Sequence, residues 1–265
     1  MLRLFFLILF FSPATYADTT DFLNLCKSSL PISKHKVTCE KLNQLLFNGD
    51  SKSPSQLIKP ETLGAPKFSI DKKILFMVFN DPNYFPAVSY CYFVFRGWLN
   101  PGQVTPDRLG LESTGFSILN EDLEGYNLWL NKDKKGKACQ KRIETESGVP
   151  LTDLASSIKG YKAIVGLNPF ASIRQQAGDY ERVVDGLALT LNHERIHALQ
   201  VACSKLDEYG MQEWSKIGGP AQHKFAAKYP SYNWRDIKVA GREYIAFLYE
   251  KNPKKVLKLV KDCPY

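Results

Sequence analysis

The chain has 265 residues, 44% of them hydrophobic and 12% aromatic, which excludes an intrinsically disordered protein and allows a sizeable buried core. The formal charge of +8 is moderate, and the lysines are scattered rather than gathered in a basic block. This pattern argues against a nucleic-acid-binding protein, and we expect no nucleic-acid partner.

The N-terminus has the layout of a secretory signal peptide. Arg3 is followed by the apolar run 4–11, and residues 15–17 form a small-x-small cleavage pattern. The apolar run is shorter than the roughly 20 residues that span a bilayer, so we expect no membrane anchor. The sequence predicts a signal peptide at 1–17 and a secreted or periplasmic mature chain that begins at Asp18, with no stable membrane span.

Six cysteines follow the predicted cleavage site, and an even number in an exported chain is typical of disulfide bonds. The sequence does not fix their pairing, although Cys26–Cys39 would close a local loop and Cys203–Cys263 would tie the last helices to the central one. Because no CxxC pair is present, a thiolate zinc site is disfavoured.

In chain order, residues 18–47 predict two short helices, and the Gly-, Pro- and Ser-rich stretch up to residue 66 predicts a connector. We therefore separate an N-terminal segment, 18–66, from a main domain, 67–265. Runs of β-branched and aromatic residues bounded by turn residues predict strands in the first half of that domain. The predicted strands are 73–80, 87–98, 115–119, 126–130 and 161–170, with a solvated loop at 131–137 and a short helix at 151–159.

The second half of the main domain reads as helical, beginning with a long helix at 180–204 that Asp179 would cap. Further helices are predicted within 205–229, 233–251 and 253–261. Strands within 67–170 followed by helices within 179–262 predict an α+β fold, in which a strand-rich N-terminal half packs against a helical half.

The long predicted helix contains the stretch "ALTLNHERIHALQVAC", with two of the chain's four histidines. His193 and His197 stand four residues apart, so on a helix both imidazoles face the same side and can bind one metal ion. Glu194 is rotated away from that ion by about 100° but can reach a water molecule beside it. The spacing therefore predicts a zinc site with a general base next to it.

At these residues the sequence resembles the zincin metallopeptidases. "HERIH" matches their HExxH motif, and the preceding "VVDGLALTLN" resembles the apolar lead-in of their active-site helix. The resemblance covers about residues 180–204. It implies that His193 and His197 are ligands of Zn²⁺ and that Glu194 is the general base.

The subgroups of zincins differ in their third metal ligand. The metzincins have Gly and His where this chain has Gln200 and Cys203, and this difference excludes them. The aspzincin pattern would use Asp207, but here it is one residue too tight. The gluzincins use a glutamate on a later helix, often with alanine three residues on, and Glu243 with Ala246 matches that pattern.

The residues around Glu243 favour the same assignment. Its helical neighbours are apolar, so its carboxylate is expected to be buried and to need a cation. That cation is either the metal or an arginine, with Arg242 and Arg182 as the structural alternatives. Asp207 and His223 remain alternative third ligands. Three other glutamates have polar, basic or turn-forming neighbours and are predicted to be solvated: Glu208, Glu213 and Glu250.

A peptidase site also needs an oxyanion donor and a strand that holds the substrate. His223, among small neighbours, is the first candidate for the donor that stabilises the oxyanion, with Tyr209, Tyr232 and Tyr244 as alternatives. In zincins an edge strand ahead of the active-site helix holds the substrate, and 161–170 has that place in the order of elements.

The sequence thus predicts an exported zinc-dependent hydrolase, a metallopeptidase acting on a peptide or protein substrate. The alternative is a non-catalytic exported binding protein that keeps the metal as a structural ion or has a degenerate site. In that case the aromatic run at 87–98 would make the partner contacts.

Overall fold

The computed structural model of the chain describes residues 23–24, 36–47, 55–57, 74–79, 83–99, 102, 104–147, 161–176, 180–230, 232–252, 254–261 and 263. The predicted signal peptide, the predicted helix at 151–159, the predicted cap Asp179 and the predicted Cys26–Cys39 pairing lie outside these residues.

Eleven helices and four strands occur within the described residues. Their order is α1 (Lys36–Phe47), β1 (Ser55–Leu57), β2 (Ile74–Phe79), α2 (Tyr84–Phe95), α3 (Pro106–Glu112), β3 (Gly115–Leu119), α4 (Asn120–Lys132), α5 (Lys134–Ser147), β4 (Ala163–Leu167), α6 (Pro169–Gln175), α7 (Tyr180–Ala202), α8 (Ser204–Lys216), α9 (Gly219–Lys228), α10 (Ile237–Tyr249) and α11 (Lys254–Leu259).

The strands form one mixed sheet in the order β1-β2-β4-β3. β2 and β4 are parallel, whereas β1 and β3 pair with them in the antiparallel direction. The strands predicted at 73–80, 115–119 and 161–170 are confirmed as β2, β3 and β4. β4 is buried along its whole length, as expected of a central strand covered on both faces.

The fold is α+β as predicted, but its N-terminal half is not rich in strands. Residues 87–98 belong mostly to the helix α2, and residues 126–130 lie inside the helix α4. The run in α2 is apolar at almost every position, so it shows neither a strand nor a helix period, and ten of its residues are buried. In α4 the helical spacing is carried by Leu123, Tyr126 and Leu130, which are buried, while Leu128 is exposed.

The loop predicted at 131–137 is also wrong in part. These residues are exposed, as predicted, except Gly136, but only Asp133 separates the end of α4 from the start of α5. A Cβ at Gly136 would lie 2.1 Å from the Trp129 carbonyl oxygen, so glycine allows the two helices to meet closely at this corner.

Two cores lie on opposite faces of the sheet. One contains α1, α7 and α11 with the alternate residues Ile74, Phe76 and Val78 of β2. The other is formed by α2, α4 and α5 and is dominated by aromatic rings. α1 and β1 belong to the predicted N-terminal segment 18–66. In the structure α1 joins the first core and β1 joins the sheet.

Two disulfides staple these layers. Cys91–Cys139 joins α2 to α5 and was not predicted from the sequence. Cys203–Cys263 joins the end of α7 to the end of the described chain, as predicted. In the part of the chain that the structure describes, no helix combines the length and the apolar character needed to cross a membrane.

Candidate metal centre

The long helix α7 lies on the sheet and carries the HERIH stretch. Four of its own apolar side chains are fully buried and fix the rotation of the helix: Leu187, Leu191, Ile196 and Leu199. The helix passes close to β3 at Gly115, where a Cβ would lie 2.4 Å from Thr190 Cγ2 and 3.2 Å from Glu194 Cγ. Glycine at this position therefore allows Glu194 to lie directly against the strand.

The helix α10 brings the third predicted ligand to α7. It crosses α8 at Gly210 and Gly241, where a Cβ on Gly210 would lie 2.6 Å from the Gly241 carbonyl oxygen. Next to this crossing, Arg242 Nε donates to both carboxylate oxygens of Asp207, at 2.9 Å each. The close backbone contact and the ion pair together hold α10 in place, with Glu243 facing α7.

His193, His197 and Glu243 converge on one point. Their three ligand atoms lie within 4.8 Å of one another. The two Nε2 atoms are 3.1 Å apart, His193 Nε2 is 3.3 Å from Glu243 Oε2, and His197 Nε2 is 3.5 Å from Glu243 Oε1. Ligand atoms at the corners of a tetrahedron around one zinc ion lie about 3.3–3.5 Å apart, so the three distances fit a shared ion.

The other ring nitrogens face hydrogen-bond acceptors. His193 Nδ1 is 3.2 Å from Glu250 Oε2, and His197 Nδ1 is 2.9 Å from Gln200 Oε1. When Nδ1 donates its proton to such an acceptor, Nε2 of a neutral ring is left with the lone pair that a metal needs. Both imidazoles are thus oriented as metal ligands, and two nitrogens with one carboxylate form a donor set that suits zinc.

Charge is concentrated in this cluster. Burial favours the neutral ring of His193, but hydrogen bonds to Glu243 and Glu250 outweigh it and raise the pKa of His193 to about 10. Burial alone would raise the pKa of Glu243, but the two imidazoles lower it to about 2. The negative charge of Glu243 is therefore buried directly against the two imidazoles, where a divalent cation would be stabilised.

Glu194 lies beside the ligand cluster and is not part of it. Its carboxylate hydrogen-bonds with the side chain of Ser117 on β3. Burial raises the pKa of Glu194, while His197 and His193 counteract the shift. The predicted general base is thus held by the neighbouring strand, close to the two predicted ligands.

The structure does not bring His223 to the cluster. His223 is exposed on α9, a helix in which no residue is buried. Instead, the Tyr232 hydroxyl lies beside the Glu243 carboxylate. Burial raises its pKa well above the usual value, and the charges of Glu243 and Glu194 add to the shift. Tyr232 was one of three tyrosine candidates, and nothing in its local sequence distinguished it.

The sequence missed two partners of the histidines. Glu250 was predicted to be solvated, but its side chain is only 16% exposed and contacts His193. Gln200 served only to exclude the metzincins, yet it is buried and contacts His197. A helical count would have placed Gln200 one turn from His197, whereas Glu250 depends on how α10 packs.

The alternative third ligand Asp207 is occupied by Arg242 rather than placed in the cluster. Because Arg242 pairs with Asp207, this pairing also argues against the alternative in which Arg242 neutralises Glu243. The substrate strand predicted at 161–170 is also corrected, because β4 lies between β2 and β3 and both its edges are paired. The edge strand next to Glu194 is β3.

Aromatic rings from α9, from α10 and from the residues between these helices line one side of the cluster. The ring of Phe247 meets His193 edge to face with 4.4 Å between centroids, and Tyr229 stacks on Phe247 at 3.9 Å. Phe225 and Tyr232 also contact Phe247. The segment between α8 and α10 therefore packs on the metal centre through rings, which hold the Tyr232 hydroxyl near Glu243.

Comparison of the chain with protein-family models, with curated proteins and with solved structures finds no match. The zincin resemblance therefore rests on the residues of the motif.

Proposed function

We propose that this chain is an exported zinc-dependent hydrolase, specifically a metallopeptidase. The observation that carries the proposal is the convergence of His193 Nε2, His197 Nε2 and a Glu243 oxygen at the mutual distances of zinc ligands, with Glu194 adjacent. Two histidines and one glutamate are a donor set of catalytic zinc sites, in which the fourth position is left to water or substrate.

In this proposal His193, His197 and Glu243 hold the ion. When bound, zinc would supply Lewis-acid chemistry by lowering the pKa of a water molecule and polarising the substrate carbonyl. Glu250 and Gln200 keep the two imidazoles in the orientation and tautomer that binding requires.

Glu194 acts as the general base. It follows His193 directly, so its side chain leaves the helix about 100° away from the ligand face and beside the reacting centre. The hydroxyl of Ser117 hydrogen-bonds to its carboxylate and limits its freedom. Glu194 takes the proton from the attacking water and passes it to the leaving amine.

Tyr232 donates a hydrogen bond to the oxyanion that develops as water attacks. Its hydroxyl lies within hydrogen-bonding reach of Glu243 and within electrostatic reach of Glu194, so it borders the reacting centre. A phenol is protonated at neutral pH, and the upward shift of its pKa by burial and the nearby carboxylates keeps Tyr232 a donor at alkaline pH as well.

The edge of β3 offers the substrate a backbone partner. The Asn168 N–H donates to the Thr114 carbonyl at 2.8 Å, so by the alternation of an antiparallel ladder Phe116 and Ile118 also bond to β4. The backbone groups of Ser117 then point away from β4, next to the side chain that contacts Glu194. An extended peptide added along this edge would lie beside the general base, which favours a peptide substrate.

The two disulfides in the described residues are compatible with an oxidising compartment, and the predicted signal peptide supports the same location. We therefore place the proposed activity outside the cytoplasm, in a secreted or periplasmic protein.

Metal analysis of the purified chain tests the first half of the proposal. We expect about one zinc per chain after purification in the absence of chelators. Less than about 0.2 zinc per chain, together with failure to take up added Zn²⁺, would contradict a metal centre of any kind.

The variant Glu194→Gln tests catalysis. We expect it to retain zinc and to lose cleavage of a mixed library of fluorogenic peptides by about 10²–10⁴-fold, because it cannot accept a proton. The matched control is Glu208→Gln, since Glu208 is exposed on α8 and should keep full activity. Full zinc occupancy without cleavage of any peptide by the wild-type protein would favour the non-catalytic binding protein instead.

A further inference from the structure

We propose that Gln200 is a positioning residue of the metal centre, which sets the tautomer of His197 and couples the two helices that carry the ligands. This inference rests on the proposed metal site and concerns a residue outside the HExxH motif. Gln200 lies one turn after His197 on α7 and is 1% exposed.

The side-chain amide of Gln200 is held at both ends. Its Nε2 donates to the backbone carbonyl of Arg242 at 3.3 Å, and its Oε1 lies 2.9 Å from His197 Nδ1. A carbonyl oxygen only accepts hydrogen bonds, so the NH₂ group must face Arg242 and the oxygen must face His197. The orientation of the amide is therefore dictated by the main chain of α10.

This orientation fixes the state of the imidazole. Because Gln200 Oε1 also only accepts, His197 Nδ1 must carry a proton and donate it. The neutral ring then has its lone pair on Nε2, which faces His193 Nε2 and Glu243. A backbone carbonyl on one helix thus selects, through one amide, the metal-binding tautomer of a histidine on the other.

The same amide links the positions of the ligands. Arg242 directly precedes Glu243, so the Gln200 bridge ties His197 to the peptide group that joins Arg242 to Glu243. Seven residues after Glu243, directly past the end of α10, Glu250 accepts at His193 Nδ1, and its carbonyl receives a hydrogen bond from Asn192 Nδ2 at 3.1 Å. Both histidines are therefore oriented by contacts on either side of Glu243.

The test compares variants that separate acceptor function from packing. Gln200→Met keeps the length and volume of the side chain but removes both hydrogen bonds, whereas Gln200→Glu keeps an oxygen for His197. The control is Gln175→Met on α6. It removes a comparable hydrogen bond, from the amide of Gln175 to the carbonyl of Glu112, at an exposed position. Zn²⁺ alone is the probe, titrated into metal-free protein in competition with a chromophoric chelator.

We expect Gln200→Met to weaken zinc binding about 10- to 100-fold. Gln200→Glu should recover most of that loss, and Gln175→Met should bind as the wild type does. In the zinc-loaded protein the Nδ1 proton of His197 should exchange slowly in NMR spectra of the wild type and of Gln200→Glu, and rapidly in Gln200→Met. A residue that only fills space would give the opposite order, with methionine tolerated and the buried carboxylate harmful.

If Gln200→Met does not fold, Gln200→Asn replaces it, because it keeps an amide but withdraws the oxygen from His197 and should also weaken zinc binding. Wild-type affinity with an unchanged Nδ1 proton in the folded variant would overturn the inference and leave the proposed function standing. Failure of the wild-type chain to bind Zn²⁺ at all would overturn both.

Discussion

Helices α2 and α7 lie on opposite faces of the same sheet and bury very different side chains. The buried residues of α2 are aromatic or aliphatic, except for Cys91, which forms a disulfide, and Ser89, whose hydroxyl donates to a carbonyl one turn back in the same helix. α7 buries four polar or charged side chains among its aliphatic ones: Asn192, His193, Arg195 and Gln200.

The difference separates stability from function. Apolar burial is favourable wherever it occurs, so the α2 face is held mainly by ring packing and a disulfide, with hydrogen bonds at the hydroxyls of Tyr90 and Tyr92. Buried polar groups cost free energy unless they are paired, and Asn192, His193 and Gln200 on α7 are paired with α10 or with Glu250 at its end. The three paired side chains lie where the ligand atoms of His193, His197 and Glu243 converge.

The sharpest test of this division is Phe85→Ala on the α2 face. Phe85 is fully buried and meets Phe79 and Phe116 at centroid distances of 5.4 and 5.2 Å. We expect the free energy of unfolding to fall by about 3–5 kcal/mol, since the variant leaves a cavity. Chemical denaturation measures the loss, and Phe85→Leu provides a milder variant if the alanine protein does not fold. Zinc affinity should be unchanged in the folded variant, and a parallel loss of zinc would show that the two faces are not separable.

On the other face, Tyr232→Phe should lower kcat about 10²–10³-fold, because one oxyanion donor is removed. Steady-state kinetics on a cleaved peptide would measure this change, with KM and zinc content close to those of the wild type. Tyr244→Phe is the matched control, since Tyr244 is a half-buried tyrosine on α10 outside the ligand cluster. Equal effects of the two variants would remove Tyr232 from the mechanism.

The smallest effect is expected for His223→Ala. His223 is exposed on α9, so the free energy of unfolding should change by no more than about 0.5 kcal/mol. The value of kcat should also stay at the wild-type level. A decrease in kcat comparable to that of Tyr232→Phe would restore His223 as the oxyanion donor and require α9 to move toward the cluster in the working enzyme.

The two helices also differed in how well the sequence predicted them. α7 has polar and apolar residues at helical spacing, so its period and its ligand pair were readable. α2 is apolar at nearly every position, and β-branched and aromatic composition made it look like a strand. Its helical state follows from packing, because rings from α2 fill the space between the sheet, α4 and α5.

The same contrast between local pattern and packing explains which residues of the site the sequence predicted. Glu243 was identified because its own neighbours predict a buried carboxylate. Tyr232 and Glu250 have ordinary local sequences, and their roles come from where the loop before α10 and the end of α10 are held.

The sequence by itself determined the three strands near the site, the HExxH helix and the pair of imidazoles on one face, since all of these depend on periodicity within a short segment. Only the tertiary structure decided which side chain meets His193 Nδ1, which tyrosine approaches Glu243 and which strand forms the edge. Those choices depend on contacts between residues distant in the chain, such as the Gly210–Gly241 crossing and the Asp207–Arg242 pair, and no local pattern encodes them.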